Sequence, residues 1–89
     1  CNKIGDEGAY ILGLGLNNWK NIISLQLYLF YNQISQTGIS NIAKGLGTLT
    51  QMKNLEISFL ENKVGNEGSI ALSEGLSKCQ NLRELKLYI

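Results

Sequence analysis

The chain repeats itself every 30 residues, and no other feature limits its fold so tightly. Asn2, Asn32 and Asn62 stand 30 apart with no gap, as do Gly8, Gly38 and Gly68. The same spacing relates Gly15, Gly45 and Gly75, then Leu16, Leu46 and Leu76, then Leu25, Leu55 and Leu85. Other columns stay apolar: Ile4/Ile34/Val64, Leu12/Ile42/Leu72, Ile22/Met52/Leu82, Leu27/Ile57/Leu87 and Leu29/Phe59/Ile89. Recurrence at such a period marks a solenoid, in which units too small to bury their own apolar faces cover one another. The 89 residues hold about three such units and at most one domain, 1–89.

Within each unit the apolar period changes. Leu25, Leu27 and Leu29 sit two apart, like Leu55, Ile57 and Phe59, and like Leu85, Leu87 and Ile89. That spacing gives a strand with one buried face. Ile39, Ile42, Ala43, Leu46 and Leu49 follow at three or four, which is helical. Ala9, Leu12, Gly13, Leu16 and Trp19 repeat the pattern, as do Ser69, Leu72, Ser73, Leu76 and Cys79. The spacing predicts strands near 24–29, 54–59 and 84–89, and helices near 6–17, 36–47 and 66–77. The turn before each helix carries Gly5, Ser35 and Gly65. The Gly8 column allows either a positive φ or a close neighbour. The Gly15 column falls inside a helix, where glycine costs about 1 kcal/mol against alanine. Either a neighbouring backbone packs there, or the helix ends early.

Parallel strands stack about 4.8 Å apart, while packed helices need about 8–10 Å. An array linking both layers therefore bends. The expected class is α/β, a curved horseshoe segment with parallel strands on the concave face and helices on the convex face. Its ends expose apolar surface, because no polar caps are evident. The chain opens on Cys1 rather than Met, so a slice of a longer array is expected. Such a piece alone should associate or unfold.

The run from Ile22 to Asn32 reads LxxLxLxLxxN and resembles the leucine-rich repeat. The stretch Asn2 to Gly8, echoed from Asn62 to Gly68, is similar to the ribonuclease-inhibitor-like subclass. Two extra residues, Leu29-Phe30 in the first copy, lengthen the strand before the Asn, as in ciliate-type repeats. The resemblance covers the whole chain. It implies that Asn2, Asn32 and Asn62 bond loop backbone between repeats, for which an amide with two donors and an acceptor is suited. It also implies that the concave face is the binding surface.

Chemistry has little to work with. There is no His, which removes the commonest general base. Cys79 shares a column with Trp19 and Leu49 and reads as a small core residue. Gly13-Leu-Gly15 and Gly45-Leu-Gly47 lack the spacing and place of a phosphate loop. Asp6-Glu7 and Asn66-Glu67 suggest a cation site less well than acids complementing a helix N-terminus, with Lys20 and Lys78 past the C-termini. The chain is expected to be no enzyme, with no catalytic residue, cofactor or metal. A net charge of +1 with 17% charged residues gives no nucleic-acid or membrane field. Two unlike cysteines and no glycosylation sequon point to a cytoplasmic, intracellular setting.

The outward strand positions form columns: Ser24/Asn54/Glu84, Gln26/Glu56/Lys86 and Tyr28/Ser58/Tyr88, then Phe30/Leu60. Aromatic residues in such rows suit protein interfaces, although tyrosine also serves as a plain strand former. The expected partner-binding set is Gln26, Tyr28, Phe30, Glu56, Ser58, Leu60, Lys86 and Tyr88. A non-catalytic protein–protein interaction scaffold follows, with a protein partner and with neighbouring repeats or chains at the ends. The alternative implied by the resemblance is an enzyme regulator, such as a small-GTPase activator or an inhibitor-type module. An inhibitor of a nuclease would need more acid than these columns supply.

Overall fold

The computed structural model describes residues 4–29 and 32–89. Helices and strands alternate: α1 (Gly5–Leu16), β1 (Ser24–Tyr28), α2 (Gln36–Leu46), β2 (Asn54–Ser58), α3 (Gly65–Ser77) and β3 (Glu84–Tyr88). The strands start 30 residues apart, as the repeat requires. A helix lies between successive strands, so they pair in parallel rather than as hairpins. The three make one open sheet, ordered β1-β2-β3. Its register keeps the sequence columns: Leu25 faces Leu55 and Leu55 faces Leu85. The fold is α/β, three parallel strands and three helices around one core.

That core draws on both layers. Ala9, Leu16, Ile39, Ile42 and Leu46 come from helices, and Leu55 and Ile57 from β2. Phe59, just past β2, is the largest fully buried side chain. The expected strands run one residue too long, since each ends at its tyrosine or serine. Leu29 and Phe59 still donate to the next strand, to Ser58 O and Tyr88 O, both at 2.8 Å.

The helix-to-strand connections are copies of one another. Trp19, Leu49 and Cys79 donate to Leu16, Leu46 and Leu76 at 2.9–3.0 Å. Their own carbonyls then accept from Ile22, Met52 and Leu82 at 3.0–3.2 Å. Trp19 nevertheless corrects the helical pattern. Leu49 is 0% and Cys79 5% exposed, but Trp19 is 48% exposed. Among the described residues, α1 packs against α2 alone.

The turn glycines divide by task. Gly5 and Gly65 hold positive φ, 66° and 64°. Ser35, in the same column, stays extended at φ −92°. The bend there moves to Gln33, at φ 57°.

Two members of the Gly15 column, Gly45 and Gly75, pack against backbone, while a Cβ on Gly15 would meet nothing within 4 Å. A Cβ on Gly45 would come within 3.0 Å of the Gly13 carbonyl oxygen, and one on Gly75 equally close to that of Ala43. Each helix leans on the one before it at a spacing that no larger residue permits. Both glycines stand in the last turn, since α2 ends at Leu46 and α3 at Ser77.

The Asn column ties units together. Asn62 Oδ1 accepts from Asn32 N at 3.1 Å and Ile34 N at 2.9 Å. Its Nδ2 donates to Leu29 O at 2.5 Å and Phe59 O at 3.1 Å. Asn32 Oδ1 accepts from Ile4 N at 3.4 Å. One amide thus satisfies backbone groups of two units, which buried loop backbone demands. Asn2 lies outside the described residues.

Candidate functional site

The sheet has an outward face because alternate strand residues turn away from the helices. Register places Gln26 beside Glu56 and Glu56 beside Lys86. One row further along, Tyr28, Ser58 and Tyr88 stand abreast. Gln26 Nε2 donates to Glu56 Oε1 at 3.4 Å. The expected Glu56–Lys86 neighbours are therefore in register, and Glu56 accepts from Gln26. In the row before, the Asn54 amide, oriented by its partners, donates to Glu84 Oε1 at 3.1 Å.

Tyr28 is 50% exposed, Tyr88 43% and Leu60 47%. The Glu56 carboxylate accepts from the Tyr28 hydroxyl and raises its pKa above the ordinary phenol value; slight desolvation and charge on Glu56 and Tyr88 add to this. The phenol is thus a firm donor at neutral pH. A shallow depression of about 150 Å³ lies between Gln26, Asn54, Glu56, Glu84 and Lys86. Small-molecule pockets run to about 300–1,000 Å³, so this face suits a broad contact better than an enclosed ligand.

Ser58 departs from the expected set. It is 4% exposed, so it offers no side chain to a partner. The register sets it between the two tyrosines, and its Oγ accepts from Leu60 N at 3.5 Å. Phe30 lies outside the described residues.

The cysteine and the acids can be placed too. Cys79 is buried, and desolvation raises its pKa. Its Sγ donates to Leu46 O at 3.3 Å. A buried, protonated thiol is a packing residue rather than a nucleophile. Among the described residues no cluster of three His, Cys, Asp or Glu could hold a metal ion. No helix there is long and apolar enough to cross a membrane.

Asp6 shows a role that sequence reasoning missed. It sits in the first turn of α1 but serves α2. Its Oδ1 accepts from Ser35 N at 2.7 Å, and its Oδ2 accepts from the Ser35 hydroxyl. Those two bonds, with a smaller one from Gly38, lower its pKa below the ordinary carboxylate value against a slight opposing desolvation. Gln36, 30 residues on, repeats the arrangement: its Oε1 accepts from Glu67 N at 2.8 Å at the start of α3. The first turns of α2 and α3 are therefore each bonded from the helix before. The available signal was the column Asp6/Gln36/Asn66, where every side chain carries an acceptor oxygen.

A family model described as Leucine Rich repeat matches residues 1–13, whose described part is the turn and first two turns of α1. The match supports a leucine-rich repeat, a type of unit consistent with protein–protein interaction. No curated protein and no solved structure matches the chain.

Proposed function

We propose that the chain is a segment of a curved leucine-rich-repeat solenoid of the ribonuclease-inhibitor-like subclass, which binds a protein through its sheet face. The observation that carries this is the Tyr28–Ser58–Tyr88 row. Two half-exposed tyrosines flank a buried serine, beside the polar row Gln26, Glu56 and Lys86. Tyrosine on a rigid strand gives a large contact area at low entropic cost, and its hydroxyl adds a hydrogen bond. A partner side chain seated between the rings would have the polar row Gln26, Glu56 and Lys86 along one side. Leu60 extends the apolar rim. The role is that of a non-catalytic scaffold.

The test compares the chain with a Tyr28→Ala/Tyr88→Ala variant, both immobilised and exposed to the same cell extract. Both substitutions lie on the solvent side of the strands, so circular dichroism should match. Proteins held by the parent chain should be lost from the variant, by about tenfold or more in affinity for two interface anchors. Undiminished capture by the folded variant rejects the sheet face.

A further inference from the structure

We infer that the groove between α1 and α2, on the solvent side of the helices, docks an acidic amphipathic helix of a protein partner. The partner's apolar stripe lies along Tyr10 and Leu14, and one of its carboxylates meets Lys44. This site belongs to the helix layer, so it is separate from the sheet face and does not depend on that reading.

The groove follows from how the two helices meet. They touch at Gly13 and Gly45, where a Cβ on either would strike backbone of the other helix. Beside that glycine contact, Tyr10 and Leu14 stand one turn apart on α1, 51% and 57% exposed. Asn41 and Lys44 belong to the α2 wall. The space between is about 360 Å³. Lys44 carries the one charge in its lining and makes no ion pair among the described residues.

The next groove, between α2 and α3, is built from the same columns and serves as an internal control. There Ser40 replaces Tyr10, Lys44 replaces Leu14, and Glu74 replaces Lys44. That groove has charges of both signs and holds about 90 Å³. Packing of the helices asks for the glycines, which recur, and not for the apolar pair on α1, which does not. Further repeats ahead of α1 would leave the pair open as well. Helix α2 packs against a helix on each side, yet Lys44, the column mate of Leu14, is still exposed.

Shape and charge together select the occupant. Tyr10, Leu14 and Lys44 are all exposed, so the groove covers one face of what it holds. Small molecules are held with most of their surface buried. Apolar residues one turn apart instead match the stripe of an amphipathic helix laid in a groove. A single unopposed ammonium on one wall selects a carboxylate beside that stripe and disfavours a basic helix.

Two labelled synthetic peptides test this against the whole chain by fluorescence anisotropy. Both are alanine-rich helices with leucine one turn apart; one carries Glu beside the leucines and the other Lys. The Glu peptide should bind the parent chain, and the Lys peptide about threefold or more weakly. Tyr10→Ser/Leu14→Gln removes the apolar wall at exposed positions, so circular dichroism should match the parent. Its affinity for the Glu peptide should fall about tenfold or more. Lys44→Glu introduces the residue that α3 has in this column, and it should reverse the preference between the peptides. Tyr28→Ala/Tyr88→Ala should bind the Glu peptide like the parent, which separates this site from the sheet face. The inference is overturned if the parent binds neither peptide or both equally. It is equally overturned if Tyr10→Ser/Leu14→Gln holds the Glu peptide undiminished, or if the sheet-face variant loses it. A parent that dimerises, with only Tyr10→Ser/Leu14→Gln monomeric in sedimentation, would make a second copy the occupant and overturn it too.

Discussion

The middle unit and the outer two are built from the same columns but do not have the same interior. Leu55 is 2% exposed, while Leu85, its partner in register, is 44% exposed. Leu49 is fully buried and Trp19 half exposed, though tryptophan has the larger apolar surface. Burial here is set by the number of neighbours rather than by the side chain. A residue in β2 or α2 is covered from both sides, and one in β1 or β3 from one.

The sharpest way to break that comparison is truncation in register. Leu55→Ala should cost about 2–5 kcal/mol, the range for a buried leucine that leaves a cavity. Leu85→Ala should cost less than half as much, because water already reaches that site. Urea denaturation of both variants decides it, and equal losses would mean that position within the array is irrelevant. The next effect is smaller. Gly45→Ala pushes a methyl into the Gly13 carbonyl and should cost about 1–3 kcal/mol as overpacking. Gly15→Ala, in the same column, should instead gain up to about 1 kcal/mol, because a Cβ there meets nothing within 4 Å. Thermal melts should thus move in opposite directions.

The smallest effect separates two versions of the inter-helix cap. The Asp6 pKa is depressed in the folded chain. Its contribution is therefore present above the unfolded carboxylate value and disappears as pH falls through the folded one. Gln36 does the same work for α3 without a titrating group. Asp6 is only partly buried, so solvent screening holds the effect to a few tenths of a kcal/mol, roughly that of a surface pair. As pH falls below the ordinary carboxylate value the parent chain should lose slightly more stability than Asp6→Asn. Parallel profiles from urea melts would remove the charge from the account.

Much of this arrangement could be read from residues alone, because two periodicities were nested inside a third. Spacing of two and of three or four placed all six elements within a residue or two. Spacing of thirty put Leu25, Leu55 and Leu85 on adjacent strands. What could not be read depended on groups brought together through space. The Gly45 and Gly75 positions had two explanations until the carbonyls of Gly13 and Ala43 were placed against them. The Asp6–Ser35 cap spans 29 residues and joins two different turns. Alternation assigns Ser58 to the outward row with Tyr28 and Tyr88, but it says nothing about how far that position is covered, and Ser58 is 4% exposed.

Helices α1 and α2 touch, as do α2 and α3, and the same holds for the strands; among the described residues the first unit and the third share no contact between elements. Such a molecule has no centre. Thirty residues could be excised or duplicated within the gene, and every surviving joint would still find the same mate. Length is then a free variable, which selection can adjust without redesigning an interior.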